Sequence, residues 1–197
     1  MRMRGREGAL LLLSLVMLAG CGVRLPERDS RGNAWSEEWT MVGTGLGVEE
    51  TGELTPLENK DILAADGLYY ATWTQGEKRD YVNEDGEEAD LYPCQLYVLV
   101  AECQSEEEAV EHRDNWLSGA RETYQVEGEE ERSVAGMDYT LLTYQCSDTS
   151  PFDRGISAFG CYEERAFCME MTVLSDFQGD EEEKLQSFLL GCHFAEK

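Results

Sequence analysis

The sequence predicts a single α+β domain, an antiparallel β-sheet packed against about two helices. Three observations lead there. Runs with strand character recur on both sides of one amphipathic helical segment, a second helical segment closes the chain, and the strands are joined by connections short enough for antiparallel pairing.

From Trp39 to Pro56 glycines dominate, at 43, 45, 47 and 52, which predicts an irregular or edge-strand opening to the domain. GTGLG there is not the GxGxxG of a nucleotide loop, and no strand-then-helix context surrounds it. Leu68 to Thr74 (LYYATWT) is β-branched and aromatic, and Asp85-Gly86 signals a hairpin turn before the next run. That run, Leu91 to Cys103, is apolar on both parities from Leu96 to Ala101, as a central strand covered on both faces would be.

Ser105-Glu106-Glu107-Glu108 then forms a capping box, with the serine placed to accept from the backbone N–H three residues on. Ala109, Arg113, Trp116, Leu117 and Ala120 fall on one face of the helix it opens, the arginine stem lying along that face. Three strands follow: Met137 to Tyr144, Gly155 to Tyr162, and Ala166 to Leu174. In the last, Phe167, Met169, Met171 and Val173 share one face while Cys168, Glu170 and Thr172 share the other. Asp180 N-caps a final helix in which Leu185, Phe188, Leu189 and Cys192 keep helical spacing, with Gly191 near its end.

Ahead of this domain, residues 1–20 read as a leader. Arg2, Arg4 and Arg6 precede an apolar stretch, Ala9 to Leu18, that is about half the roughly 20 residues a membrane-spanning helix needs. It ends in Leu18-Ala19-Gly20-Cys21, which resembles the bacterial lipobox. In lipoproteins of that kind the cysteine thiol takes a diacylglycerol, and cleavage makes it the first mature residue. The resemblance thus implies a lipidated Cys21, palmitate-type acyl chains in the bilayer, and a cell-membrane location facing the extracytoplasmic side. Residues 21–38, with Pro26 and a polar RDSRGN run, read as a flexible tether, and 39–197 as the domain.

The formal charge is −25, and loss of a leader with three arginines and one glutamate makes the remainder more acidic still. Such a surface is repelled by nucleic acid and by anionic headgroups, so neither is expected as a direct partner. The acids are spread along the chain, the pattern of a solvated surface; recruitment of cations or of a basic partner is the sharper alternative.

Beyond Cys21 the cysteines are Cys94, Cys103, Cys146, Cys161, Cys168 and Cys192, an even number that permits disulfides in an exported domain. A four-residue loop, Glu163 to Ala166, would set Cys161 opposite Cys168 across a hairpin, making these two the best candidates for a bond that stabilises by roughly 2–3 kcal/mol. No CxxC is present and histidines number only two, so no metal site is expected.

The order of motifs from Ser105 onward resembles the PsbP-like (Mog-type) α+β fold, and most closely the small lipoproteins of that type in anaerobic Gram-positive bacteria. The residues are SEEEA at 105–109, GMDYTLLTY at 136–144, RGISAFG at 154–160, Glu170 and Phe188-Leu189. The resemblance covers roughly residues 60 to 196. Within it the glycines at 136, 155 and 160 are expected at turns or bulges, and Glu170 is expected to face solvent. Its characterised members assist or bind other proteins. No partner-binding motif of theirs matches here, so no functional residue other than Cys21 is carried over.

Catalytic signatures are wanting. No GxSxG or SxxK occurs. His112 sits among charges on the first helix, and His193 at the end of the last one, where its neighbour Cys192 points elsewhere. The acidic turn Asn83 to Gly86 lacks an acid at the first position of a calcium loop, which is Tyr81. No cofactor is expected. Two functions of different class remain: a membrane-anchored, non-catalytic binding or accessory module for another envelope protein, or an extracytoplasmic enzyme, either a thiol-redox protein or a hydrolase using carboxylates.

Overall fold

The computed structural model describes residues 39–41, 44–48, 53–57, 62–65, 67–82, 86–134 and 136–194. The leader, Cys21 and the tether lie outside the described residues. In chain order the elements are β1 (Trp39–Met41), β2 (Leu46–Val48), β3 (Thr55–Pro56), β4 (Ile62–Ala65), β5 (Leu68–Gln75), β6 (Arg79–Val82), β7 (Glu88–Leu91) and β8 (Cys94–Glu102). Helix α1 (Glu106–Thr123) follows, then β9 (Gln125–Val134), β10 (Met137–Gln145), β11 (Arg154–Tyr162), β12 (Arg165–Val173), helix α2 (Glu181–Leu190) and β13 (Cys192–Phe194).

The main sheet runs β3-β5-β8-β12-β11-β10-β9, with β4 also beside β5, and every pairing in it is antiparallel. The predicted class, an antiparallel sheet packed against two helices, is the one observed. A helix lies on each face. Against α2 and the small sheet β1-β2-β13, the main sheet presents Trp73, Leu96, Val98, Val100, Met169 and Met171, all fully buried. Trp73 meets Phe188 of α2 edge to face, with ring centroids 4.8 Å apart. Burying a side chain of this kind stabilises by roughly 1.5–3 kcal/mol. Against α1, the sheet presents Ala101, Leu142, Phe159 and Ala166, which meet Ala109, Trp116, Leu117 and Ala120. No helix among the described residues is long and apolar enough to cross a membrane.

Both helices begin where their caps predict. Ser105 Oγ accepts from Glu108 N at 3.2 Å, and Asp180 Oδ1 from Glu183 N at 3.0 Å. Glu108 reaches back to Gln104 N at 2.7 Å, one residue further upstream than a capping box requires. Three glutamates in each first turn complement the helix dipole. Ion pairs then tie the helices to the sheet: Arg121 of α1 with Glu129 of β9, Arg132 of β9 with Glu182 of α2 at 2.7 Å, and Arg154 of β11 with Glu181 of α2 at 2.6 Å.

Several expectations are corrected. The strand β9 (QVEGEEERSV) was not anticipated, because an edge strand bearing charges on both parities shows no apolar alternation. Cys192 belongs to β13, where it pairs with Val48, and His193 is an exposed residue of that strand; α2 stops at Leu190 with Gly191 accepting the helical exit. Of the three glycines, Gly136 does sit in a turn, with φ +83. Gly155 and Gly160 lie inside β11, and their lack of a side chain makes room for aromatic rings, Tyr144 over the first and Phe167 over the second.

The β11–β12 hairpin turns on two residues, Glu163 and Glu164, with Tyr162 opposite Arg165. Glu163 takes φ +51 to allow this. Cys161 therefore faces Ala166 and Cys168 faces Phe159, so the two cysteines are diagonal and not opposite as expected. Diagonal Cβ atoms stand roughly 7 Å apart, against about 3.8 Å in a disulfide. Both are free thiols, as are Cys94, Cys103, Cys146 and Cys192.

Candidate functional site

Alternation along β12 places Glu170 on the α1 face, in the row Thr72–Tyr97–Glu170–Ser157 that runs across β5, β8, β12 and β11. The expectation that it faces bulk solvent is overturned. α1 and its exit residue Tyr124 lie over part of this side of the sheet, so the polar parity of β12 is only partly exposed. Tyr144 Oη donates to Glu170 Oε1 at 2.6 Å and lies 3.1 Å from Ser157 Oγ. Tyr124, which caps the C-terminus of α1, also hydrogen-bonds the carboxyl and stacks on Tyr144 with centroids 4.1 Å apart and planes 6° from parallel. Beside them on β8, Gln95 Nε2 donates to Tyr97 Oη at 3.0 Å.

Glu170 keeps part of its surface accessible, yet protein surrounds it densely enough to desolvate it. Desolvation raises its pKa above the usual carboxylate value, and the hydrogen bonds from Tyr144 and Tyr124 offset only part of that. The phenols respond in turn. Burial, followed by the neighbouring Glu170 charge, pushes Tyr97 up to about 12 and Tyr124 and Tyr144 higher.

A second feature is a cleft of about 340 Å³ at one end of the sheet, lined among others by Glu127, Tyr144, Arg154, Gly155, Glu181 and Glu182. It is the more obvious hollow, but most of its charge is already matched. Arg154 Nε and Nη2 donate to Glu181 at 2.6 and 3.2 Å, and Glu182 accepts from Arg132 at 2.7 Å. Glu170 has no such match: its hydrogen bonds come from tyrosines, and no Lys, Arg or His among the described residues forms an ion pair with it. Chemically, the Glu170 cluster is therefore the better candidate. Tyr144 belongs to both features, its ring lining the cleft and its hydroxyl holding Glu170.

The thiols are placed for packing. Cys94 and Cys192 sit in the core on the α2 face, while Cys103, Cys146, Cys161 and Cys168 cluster under and beside α1. Burial raises Cys94 to about 12 and Cys146 to about 11, and pushes Cys161, Cys168 and Cys192 up as well. His112 packs near Trp116 on α1, with ring centroids 5.9 Å apart. Among the described residues no three His, Cys, Asp or Glu side chains gather as a metal site would require.

No family model matches the chain, and none of the curated proteins matches it. Among solved structures the chain is similar to the solution structure of cyanobacterial PsbP (CyanoP) from Synechocystis sp. PCC 6803, at 12% identity and a TM-score of 0.47, covering 88% of this chain and 100% of that one. It is also similar to a crystal structure from Bacteroides thetaiotaomicron, at 9% identity and a TM-score of 0.43, covering 79% of this chain and 47% of that one. No residue's role is transferred from either.

Proposed function

We propose that this chain is a lipid-anchored, extracytoplasmic, non-catalytic module that binds or assists another protein of the same envelope. The observation that carries the reading is Glu170, a desolvated carboxyl fixed by Tyr144 and Tyr124 with no cation paired to it among the described residues. That is an arrangement for recognising a complementary group held at the sheet face. The anchor is the acylated Cys21 of the lipobox, and residues 22–38 give the domain reach from the bilayer. A thiol-redox role is disfavoured because thiolate reactivity needs a lowered pKa, and burial moves Cys94, Cys146, Cys161, Cys168 and Cys192 the other way.

One observation favours a hydrolase as the second reading: a carboxyl with a raised pKa is what a general acid needs. Glycoside hydrolysis also needs a second carboxyl some 5–9.5 Å away, as a rough guide. The groups that set the environment of Glu170 are tyrosines, and no other carboxylate is among them.

Two measurements test the proposal. Replacing Cys21 by alanine is expected to abolish fatty-acid labelling and release the protein from the membrane fraction; unchanged labelling would refute the anchor. Crosslinking and affinity capture of the lipidated chain in its own membrane is expected to yield a stoichiometric envelope protein, without turnover of insulin disulfides or glycans. Turnover lost on replacing Glu170 with glutamine would establish the hydrolase instead.

A further inference from the structure

On the α1 face, two adjacent cross-strand rows bring together Tyr70, Leu99 and Cys168, and Thr72, Tyr97 and Glu170. α1 packs chiefly over β11 and β12 and touches only the rim of β8, so the β5–β8 part of this face lies beside the helix. All six side chains retain partial exposure. The patch joins apolar and aromatic surface to one desolvated acid. Behind it, Thr172, on the same face of β12 and two residues from Glu170, is 7% exposed with a buried Oγ1 that has no hydrogen-bond partner.

We infer that this patch is a binding site for a primary ammonium group on an aliphatic stem. Such a group is the end of a lysine side chain and equally of a free alkylamine. Four physical arguments select it. First, a carboxylate removed from water is costly unless an opposite charge meets it, and the described residues supply none. Second, Tyr97 stands directly beside Glu170 and Tyr70 in the neighbouring row, and aromatic faces attract cations most where water is excluded. Third, the formal charge of −25 draws cations toward the domain and repels anions. Fourth, Tyr144 already occupies Glu170 Oε1 at 2.6 Å. Tyr124 hydrogen-bonds the same carboxyl, so the acceptor capacity left on it suits an ammonium, a point donor, better than the paired fork of a guanidinium.

The remaining donors of the ammonium have acceptors nearby. Thr72 stands in the same cross-strand row as Glu170, with Tyr97 between them on β8. Leu99 and Cys168 lie against the stem. The orphaned Thr172 hydroxyl gains a partner if the bound ammonium, or a water it orders, reaches the end of the patch. This assignment rests on reading the domain as a binding module and names the chemistry that module recognises.

The test uses the full chain in detergent at neutral pH, with binding followed by isothermal titration and by tyrosine fluorescence. The probes are n-butylammonium, Nα-acetyl-lysine methylamide, n-butylguanidinium and the neutral isostere 1-pentanol. Saturable binding of either ammonium probe in preference to guanidinium and alcohol is expected. The free-amine source predicts that both ammonium probes bind, and the protein source that the lysine derivative binds better. Glu170→Gln should weaken binding by roughly ten- to a hundredfold, as loss of a charge-assisted hydrogen bond does. A second variant, Thr72→Val, is remote from the core hydrogen bonds and should weaken it by a smaller factor while the circular dichroism melt stays unchanged. Absence of saturable ammonium binding to the folded wild type, or equal affinity in Glu170→Gln, overturns the assignment. If affinity capture still retrieves a stoichiometric partner with Glu170→Gln, the accessory role stands and only this site is lost.

Discussion

Tyr144 on β10 reaches Glu170 on β12 by lying over Gly155 of the strand between them. The hydroxyl donates to Glu170 Oε1 at 2.6 Å, and a Cβ at position 155 would fall 2.5 Å from Tyr144 Oη. The glycine thus exists for the tyrosine. Gly155→Ala should expel the ring and cost about 1–3 kcal/mol, the usual cost of overpacking. The same change in a Tyr144→Phe background should cost less, because the bond it breaks is already gone. A urea double-mutant cycle measures the difference; strict additivity would show that the glycine does not serve the hydroxyl.

Tyr144→Phe alone leaves the ring in place and removes the donor. Glu170 and Ser157 each lose a partner in a buried setting, and a cost of about 1–3 kcal/mol is expected as a lower urea midpoint at unchanged slope. The stacking of Tyr124 on the ring should persist, so near-ultraviolet dichroism should change little.

The titration of Glu170 gives stability a defined pH dependence. Desolvation raises its folded pKa above the ordinary glutamate value of 4.5, so the folded state holds this proton at pH values where the unfolded chain has released it. The stabilisation is complete below about 4.5 and is lost as pH rises through the folded value. Wild type should therefore lose stability relative to Glu170→Gln as pH is raised from about 4.5 toward neutrality. Parallel urea titrations of the two proteins across that range provide the check, and curves that stay parallel would show that Glu170 titrates normally.

How much of this was legible in the sequence depends on what each signal encodes. Ser105 and Asp180 announced their helices because a capping bond is local, and β8 was legible because a strand covered on both faces is apolar on both parities. The surroundings of Glu170 are not legible for a different reason. Alternation shows which side chains share a face of β12, but whether that face is covered depends on where α1 docks. The same holds for Gly155 and Gly160, where a glycine in a strand reads as a bulge until the ring that crosses it is known. A four-residue loop would set Cys161 opposite Cys168, but the left-handed Glu163 that permits a two-residue turn has no sequence signature.

Gly160 makes a sharper test of packing on the other face. A Cβ there would collide with the Phe167 ring and lie 2.6 Å from the backbone oxygen of Asp138, which cannot swing aside as a side chain can. Gly160→Ala should therefore destabilise by about 1–3 kcal/mol or more. Gly160→Ala with Phe167→Leu should recover little, because the backbone clash remains. Full recovery in that pair would show that the ring alone demands the glycine.

Thiol reactivity separates a packing role for the cysteines from a chemical one. A thiol at about 11, as for Cys146, is roughly one part in ten thousand thiolate at pH 7, and the thiolate is the reacting species. Half-exposed Cys146 and Cys161 should alkylate slowly in the native protein, with a rate that rises about tenfold per pH unit. Cys94 and Cys192, at 0% and 3% exposure, are reached only when the core opens, so their rates should follow global stability and rise in mild urea. Timed alkylation with peptide-resolved mass spectrometry at several pH and urea values distinguishes the two classes. A cysteine that labels within seconds at pH 7 without denaturant would contradict the burial described and return the thiol-redox reading to first place.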